Sequence, residues 1–150
     1  MRLPPFERFY EEQRSVVLAQ LRRMLGRDAA DDAFQETFLR ALRAYPSLQH
    51  NRHLRAWALT IARNVALDVL RKPRADGVVP EIPDEDLPAP HAELEHLTGK
   101  LPPAERAAVV LRYGYDLPYA DIAAALGSSE DAARQAASSG VRRLRKRRSE

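Results

Sequence analysis

The side chains here that can do chemistry are arginines, glutamines and carboxylates at helical spacing, and the chemistry is recognition. Between residues 130 and 148, Arg134, Gln135, Ser138 and Ser139 share an outward helical face, followed by Arg142, Arg143, Arg145, Lys146, Arg147 and Arg148. Arginine and glutamine near a helix start match the guanine and adenine edges of the major groove. The later basic residues suit phosphates, which supply affinity without sequence information. In "DDAFQETFLRAL", Asp32, Gln35 and Glu36 fall at i, i+3 and i+4 and so share one helix face. A face with amide donors and carboxylates suits a basic partner surface; the alternative is a solvated face. The four histidines, His50, His53, His91 and His96, have no cysteines or clustered carboxylates beside them. No glycine-rich phosphate loop or nucleophile motif is present. No catalytic residue, metal or cofactor is therefore expected.

These residues need helices to position them. Phe6, Phe9, Tyr10, Val17, Leu21, Met24 and Leu25 form one helical stripe, which Gly26 stops, with Asp28 as a cap for the next start. A second stripe runs inward through Ala30, Phe34, Phe38, Leu42 and Tyr45, up to Pro46. After the polar loop "PSLQHNRH", a third stripe uses Leu54, Trp57, Ile61, Val65 and Leu70 up to Pro73. Trp57 reads as core, because Ile61 continues its face. Three amphipathic helices can bury one small core.

The charge changes sign along the chain. Residues 1–72 carry a net +5, residues 73–100 a net −5 and residues 101–150 a net +3. Two basic blocks around an acidic connector fit a polyanion held by the blocks and avoided by the connector. The connector contains five prolines and cannot form its own core. Its last part, "HAELEHL", extends or caps the second domain. The expected class is all-α: a helical domain over 1–72, an acidic Pro-rich linker over 73–100 and a helical domain over 101–150. There is no cysteine, signal-like run or membrane span, so a cytoplasmic protein is the default.

The second domain carries a helix-turn-helix pattern. Ile122 and Leu126 anchor a first helix, Ala123 is small enough for the crossing, and Gly127 suits the turn. Ser128 or Ser129 can cap the second helix, which Ala133, Ala137, Val141 and Leu144 would anchor.

"DDAFQETFLRAL", then "WALTIARNVALDVLRK", a Pro-rich gap and "LPPAERAAVVLRYGYDLPYADIAAALG" together resemble bacterial RNA polymerase sigma factors. The likeness is to the small ECF (extracytoplasmic function) group, which keeps regions 2 and 4 only, and it runs from about Phe6 to Arg145. It implies a sigma factor that binds core RNA polymerase and directs initiation, region 2 recognising and melting the −10 element and region 4 binding the −35 element. Asp32, Gln35 and Glu36 would then grip the β′ clamp coiled coil. Within the loop Leu48 to His53, Gln49, His50, Asn51 and Arg52 would capture an extruded −10 base, while Arg55, Arg63, Asn64, Arg71 and Lys72 would track −10 DNA. Asp68 would be structural, since a carboxylate repels phosphate. Ser129, Arg134, Gln135, Ser138, Arg142 and Arg143 would contact −35 DNA. Implied partners are core polymerase (β′ clamp and β flap), promoter DNA and an anti-sigma factor. The rival is a helix-turn-helix regulator that binds DNA without polymerase. The chain departs from the family at the reading helix. Ala133, Ala136, Ala137 and Ser139 stand where bulkier or basic residues are usual, and Ser128 replaces an aliphatic. Either the helices approach more closely or the domain is marginal until it binds.

Overall fold

The computed structural model describes residues 1–71 and 92–148, and all regular structure among them is helical. Lys72, His91 and the connector's proline-rich stretch lie outside the described residues. The chain divides into two compact units: Arg2–Ser47 with Leu54–Asp86, and Met1 and Leu48–His53 with Leu87–Glu150.

The first unit contains α1 (Phe6–Leu25), α2 (Arg27–Ala44), a single 3-10 turn (Tyr45–Ser47) and α3 (Leu54–Arg71). Each of the three α-helices packs on the other two. Phe9, Val17, Leu21, Trp57 and Ile61 are fully buried, as the first and third stripes require. Phe9 holds the aromatic centre, with ring centroids 6.0 Å from Trp57, 5.1 Å from Tyr45 and 6.2 Å from Phe38. Such tilted and edge contacts each add roughly 0.5–1.5 kcal/mol beyond simple burial. Polar groups reaching this core are paired: Gln20 Nε2 donates to the Leu59 carbonyl at 3.0 Å, and Thr37 Oγ1 to the Ala33 carbonyl at 2.7 Å. The Tyr45 hydroxyl donates to the Pro4 carbonyl, and burial raises its pKa above the usual tyrosine value.

Two expectations for α2 need correction. Its cap position is Gly26, at φ 80°, with no side-chain cap, so Asp28 lies inside the first turn. Leu42 does not face the core; it is 49% exposed, Leu39 beside it is 47% exposed, and the buried stripe is Ala30, Ala33, Thr37, Phe38 and Ala41.

The second unit contains α4 (Ala92–Leu97), α5 (Pro103–Val109), a widened π turn (Val110–Gly114), α6 (Tyr119–Leu126) and α7 (Glu130–Arg148). The helix α4 forms within "HAELEHL". The bend into α6 uses Asp116 at φ 54°, a conformation aspartate tolerates better than most residues. Gly127 ends α6 at φ 66°, where its amide and that of Ser128 both donate to the Ala123 carbonyl. A Cβ at Gly127 would meet nothing within 4 Å, so the requirement there is the left-handed backbone and not space. Ser129 caps α7: its Oγ accepts from the Ala132 amide at 3.1 Å.

The alanine-rich helix α7 reaches its neighbours by close approach. Ala133 and Ala137 are fully buried, and the helix packs on both α5 and α6. At Gly140 a Cβ would come within 2.6 Å of Val109 Cγ2 and 3.3 Å of the Glu105 carbonyl oxygen. Small side chains here let the helix axes draw together; Val141 and Leu144 are only half-buried.

Candidate nucleic-acid interface

On α7, Arg134, Gln135, Ser138, Arg142 and Arg143 are all exposed, so the fold brings the candidate reading residues to one open helix surface. They are not equally free. Arg134 donates to Glu130 Oε1 at 2.8 Å and lies 3.6 Å from Asp131 Oδ1, while its guanidinium carbon sits 5.2 Å from the Tyr119 ring centre. Arg112 approaches the same ring at 4.6 Å and donates to the Leu117 carbonyl. Tyr119 therefore orients two arginines by cation–π contact, each worth about 0.5–1 kcal/mol at an exposed site. Arg142 donates to Ser139 Oγ at 3.1 Å, and Arg143 to Glu105 Oε1 at 2.9 Å. These exposed pairs hold their arginines weakly, so a phosphate or base edge can replace the present acceptors. Ser129 is exposed, but its hydroxyl oxygen is engaged as the α7 cap. Tyr119 is the residue that sequence reasoning missed; a tyrosine at a helix start has an ordinary amphipathic explanation.

The loop Leu48–His53 belongs to the same unit as α7. Gln49, Asn51 and Arg52 are exposed, whereas His50 is buried at 8% exposure. Its Nδ1 lies 2.6 Å from Asp121 Oδ2, and the Gln49 amide donates to both Asp121 oxygens at 3.0 and 2.9 Å. Two polar groups of the loop therefore serve a carboxylate that is itself 2% exposed. At the loop's end His53 meets the Tyr115 ring edge-on at 5.1 Å.

In the first unit, Arg55, Arg63, Asn64 and Arg71 project from α3. Arg55 is tied to α1, donating to Gln13 Oε1 at 3.0 Å and more distantly to the Glu12 carbonyl at 3.4 Å. Arg63 and Asn64 are half-buried and Arg71 is exposed.

The triad on α2 is at the surface: Asp32 and Gln35 are exposed and Glu36 is half-exposed. Glu36 Oε1 accepts from Arg40 Nε at 2.9 Å, and Arg40 also reaches Asp68 Oδ2 at 3.5 Å. That contact gives Asp68 a partner within the fold. Leu39 and Leu42 extend the triad's side of the helix as apolar surface. A partner bound here would therefore meet charge, amide and hydrocarbon together.

Among the described residues no group of histidines and carboxylates has metal-site geometry, and no helix is long and apolar enough to cross a membrane.

Comparison with known proteins places both units in one family. The family model Sigma-70 region 2 matches residues 9–75, and Sigma-70, region 4 matches residues 91–144. The chain is 37% identical to the ECF RNA polymerase sigma factor EcfG of Rhodopseudomonas palustris, over 67% of this chain and 60% of that protein. It is 32% identical to the RNA polymerase sigma factor CarQ of Myxococcus xanthus, over 93% of this chain and 87% of the relative. The match to EcfG thus spans about three-fifths of that relative's length. Among solved structures, the sigma factor RpoE from Bartonella quintana, in complex with the anti-sigma factor NepR, shares the fold. Its TM-score is 0.50 at 23% identity, covering 94% of both chains. With sigma-70 regions 2 and 4 both matched in order, the chain belongs to the ECF group of RNA polymerase sigma factors.

Proposed function

We propose that this chain binds core RNA polymerase and confers promoter recognition, region 2 engaging and melting the −10 element and region 4 binding the −35 element. The observation carrying this reading is the pair of sigma-70 regions in series on one chain, residues 9–75 and 91–144. Asp32, Gln35 and Glu36 dock on the β′ clamp coiled coil, and region 4 meets the β flap. The loop Leu48–His53 with Arg55, Arg63, Asn64, Arg71 and Lys72 holds the unstacked strand. Stacking and phosphate neutralisation there supply the free energy that opens the duplex. An anti-sigma protein is the proposed inhibitor, as NepR is the partner in the RpoE structure. The test is transcription in vitro with purified core polymerase over a promoter library. Initiation at a defined sequence set is expected, and a chain that binds core but never directs initiation would sink the reading.

Base discrimination by region 4 rests on Arg134 and Gln135, the exposed arginine and glutamine in the first turns of α7. Replacing both with alanine is expected to relax preference at one or two −35 positions, at about 1–3 kcal/mol per lost base contact. Arg142→Ala, as a phosphate contact, should weaken all sequences alike and reduce the salt dependence. Selection over the same library distinguishes them, and an unchanged −35 preference in the Arg134/Gln135 variant refutes the assignment.

A further inference from the structure

The Asp121 carboxylate is buried at 2% exposure and receives the Gln49 amide and His50 Nδ1, which lie more than seventy residues away in sequence. Two donors converging on a pair of anionic oxygens make an anion site, and a phosphodiester presents the same pair of oxygens. Resting on the reading that this loop engages promoter DNA, we propose that Asp121 is an intramolecular stand-in for a DNA phosphate. The loop Leu48–His53 is then self-occupied until the single strand displaces the carboxylate.

Two features make the contact releasable. A desolvated carboxylate is stable only while its donors remain, so its loss is abrupt once they leave. His50 Nε2 is buried with no hydrogen-bond partner among the described residues, which disfavours the occupied arrangement. When Asp121 leaves, Gln49 N–H and His50 Nδ1 become open to phosphate, and Nε2 gains solvent or a second acceptor. Asp121 is thus a positioning and competing residue that never touches DNA itself.

The test uses the full chain and a fluorescein-labelled mixed-sequence single-stranded DNA of about 12 nucleotides, with binding read by anisotropy. Asp121→Asn keeps the size and removes the charge facing His50. It should bind about ten-fold more tightly than the wild-type chain, the effect of removing a charge-assisted competitor. Asp116→Asn removes the same charge at an exposed position of the same unit. It should change affinity less than about two-fold. Adding His50→Ala to Asp121→Asn should cancel the gain. No gain in Asp121→Asn, an equal gain in Asp116→Asn, or a gain that survives His50→Ala would each overturn the proposal. Should Asp121→Asn lose its cooperative melt, hydrogen exchange on the wild-type chain decides instead. Saturating DNA should alter exchange in residues 48–53 and 119–126 together, and a change confined to the loop overturns the proposal. Core polymerase binding by the wild-type chain is measured in parallel. Its absence counts against the sigma-factor reading, whereas intact core binding with an inert Asp121→Asn counts against the stand-in alone.

Discussion

Gly140→Ala is expected to destabilise the C-terminal unit, although alanine is the better helix former. Propensity alone favours the change by about 1 kcal/mol in a helix interior. The new Cβ, however, would lie 2.6 Å from Val109 Cγ2, with the Glu105 carbonyl oxygen at 3.3 Å. Valine is held by its β-branch in few rotamers and the Glu105 oxygen is backbone, so neither neighbour yields cheaply. Overpacking of this kind typically costs about 1–3 kcal/mol, and larger side chains cost more, so sterics should outweigh propensity. Gly140→Leu should abolish the native arrangement of α5 against α7. The single tryptophan, Trp57, is buried in the other unit and provides an internal control. Its emission should be unchanged while helical circular dichroism of the full chain melts earlier. Combining Gly140→Ala with Val109→Ala, which removes the opposing methyl, should give a loss smaller than the sum of the single losses, by about 1 kcal/mol or more. Additive losses, or a Gly140→Ala chain as stable as wild type, would show that the close approach is not limiting.

That glycine also shows how the sequence could be misread. The alanines and serines of α7 look like a core with its aliphatic groups removed, which implies either close packing or weakness. A glycine inside a helix is costly enough to signal a packing reason, and Gly140 is that signal. The resolution is geometric: with Ala133 and Ala137 fully buried, the small side chains bring the helices nearer. In the first unit, Trp57 and Ile61 are legible because large apolar residues at i and i+4 have few other places to go. On α2 a stripe read in steps of four misleads, because each such step rotates about 40° around the helix, so three steps from Ala30 carry Leu42 off the buried face. The true face is set by a first step of three, from Ala30 to Ala33, before steps of four to Thr37 and Ala41. Small and polar residues there hide it. The pairing of Asp121 with His50 is not legible at all. An acid in the first turn of α6 has a sufficient local explanation in the helix dipole, and nothing in a single sequence links it to a loop so far upstream.

The misplaced leucine carries the other large prediction. On α2, Leu39 and Leu42 are 47% and 49% exposed, beside Asp32, Gln35 and Glu36. Two half-exposed leucines side by side on one helix face suit a docking surface whose apolar centre is ringed by polar groups. Leu39→Gln with Leu42→Gln is therefore expected to weaken binding to core RNA polymerase by about 30-fold or more, the scale of losing one hot-spot contact. Gln35→Ala with Glu36→Ala should weaken it comparably, since the partner's polar and basic groups that face them would be left unpaired. Stability should barely change in either variant. The leucines are half-exposed, and the Glu36–Arg40 pair is a surface contact of about 0.5 kcal/mol at most. Arg40 moreover keeps its second carboxylate, Asp68, at 3.5 Å. Binding measured by fluorescence anisotropy against purified core, with thermal melts beside it, separates docking from folding. If both variants keep wild-type affinity, the polymerase-facing surface lies elsewhere on region 2. If affinity and melting temperature fall together, the leucines are structural and the exposed face of α2 is not the docking site.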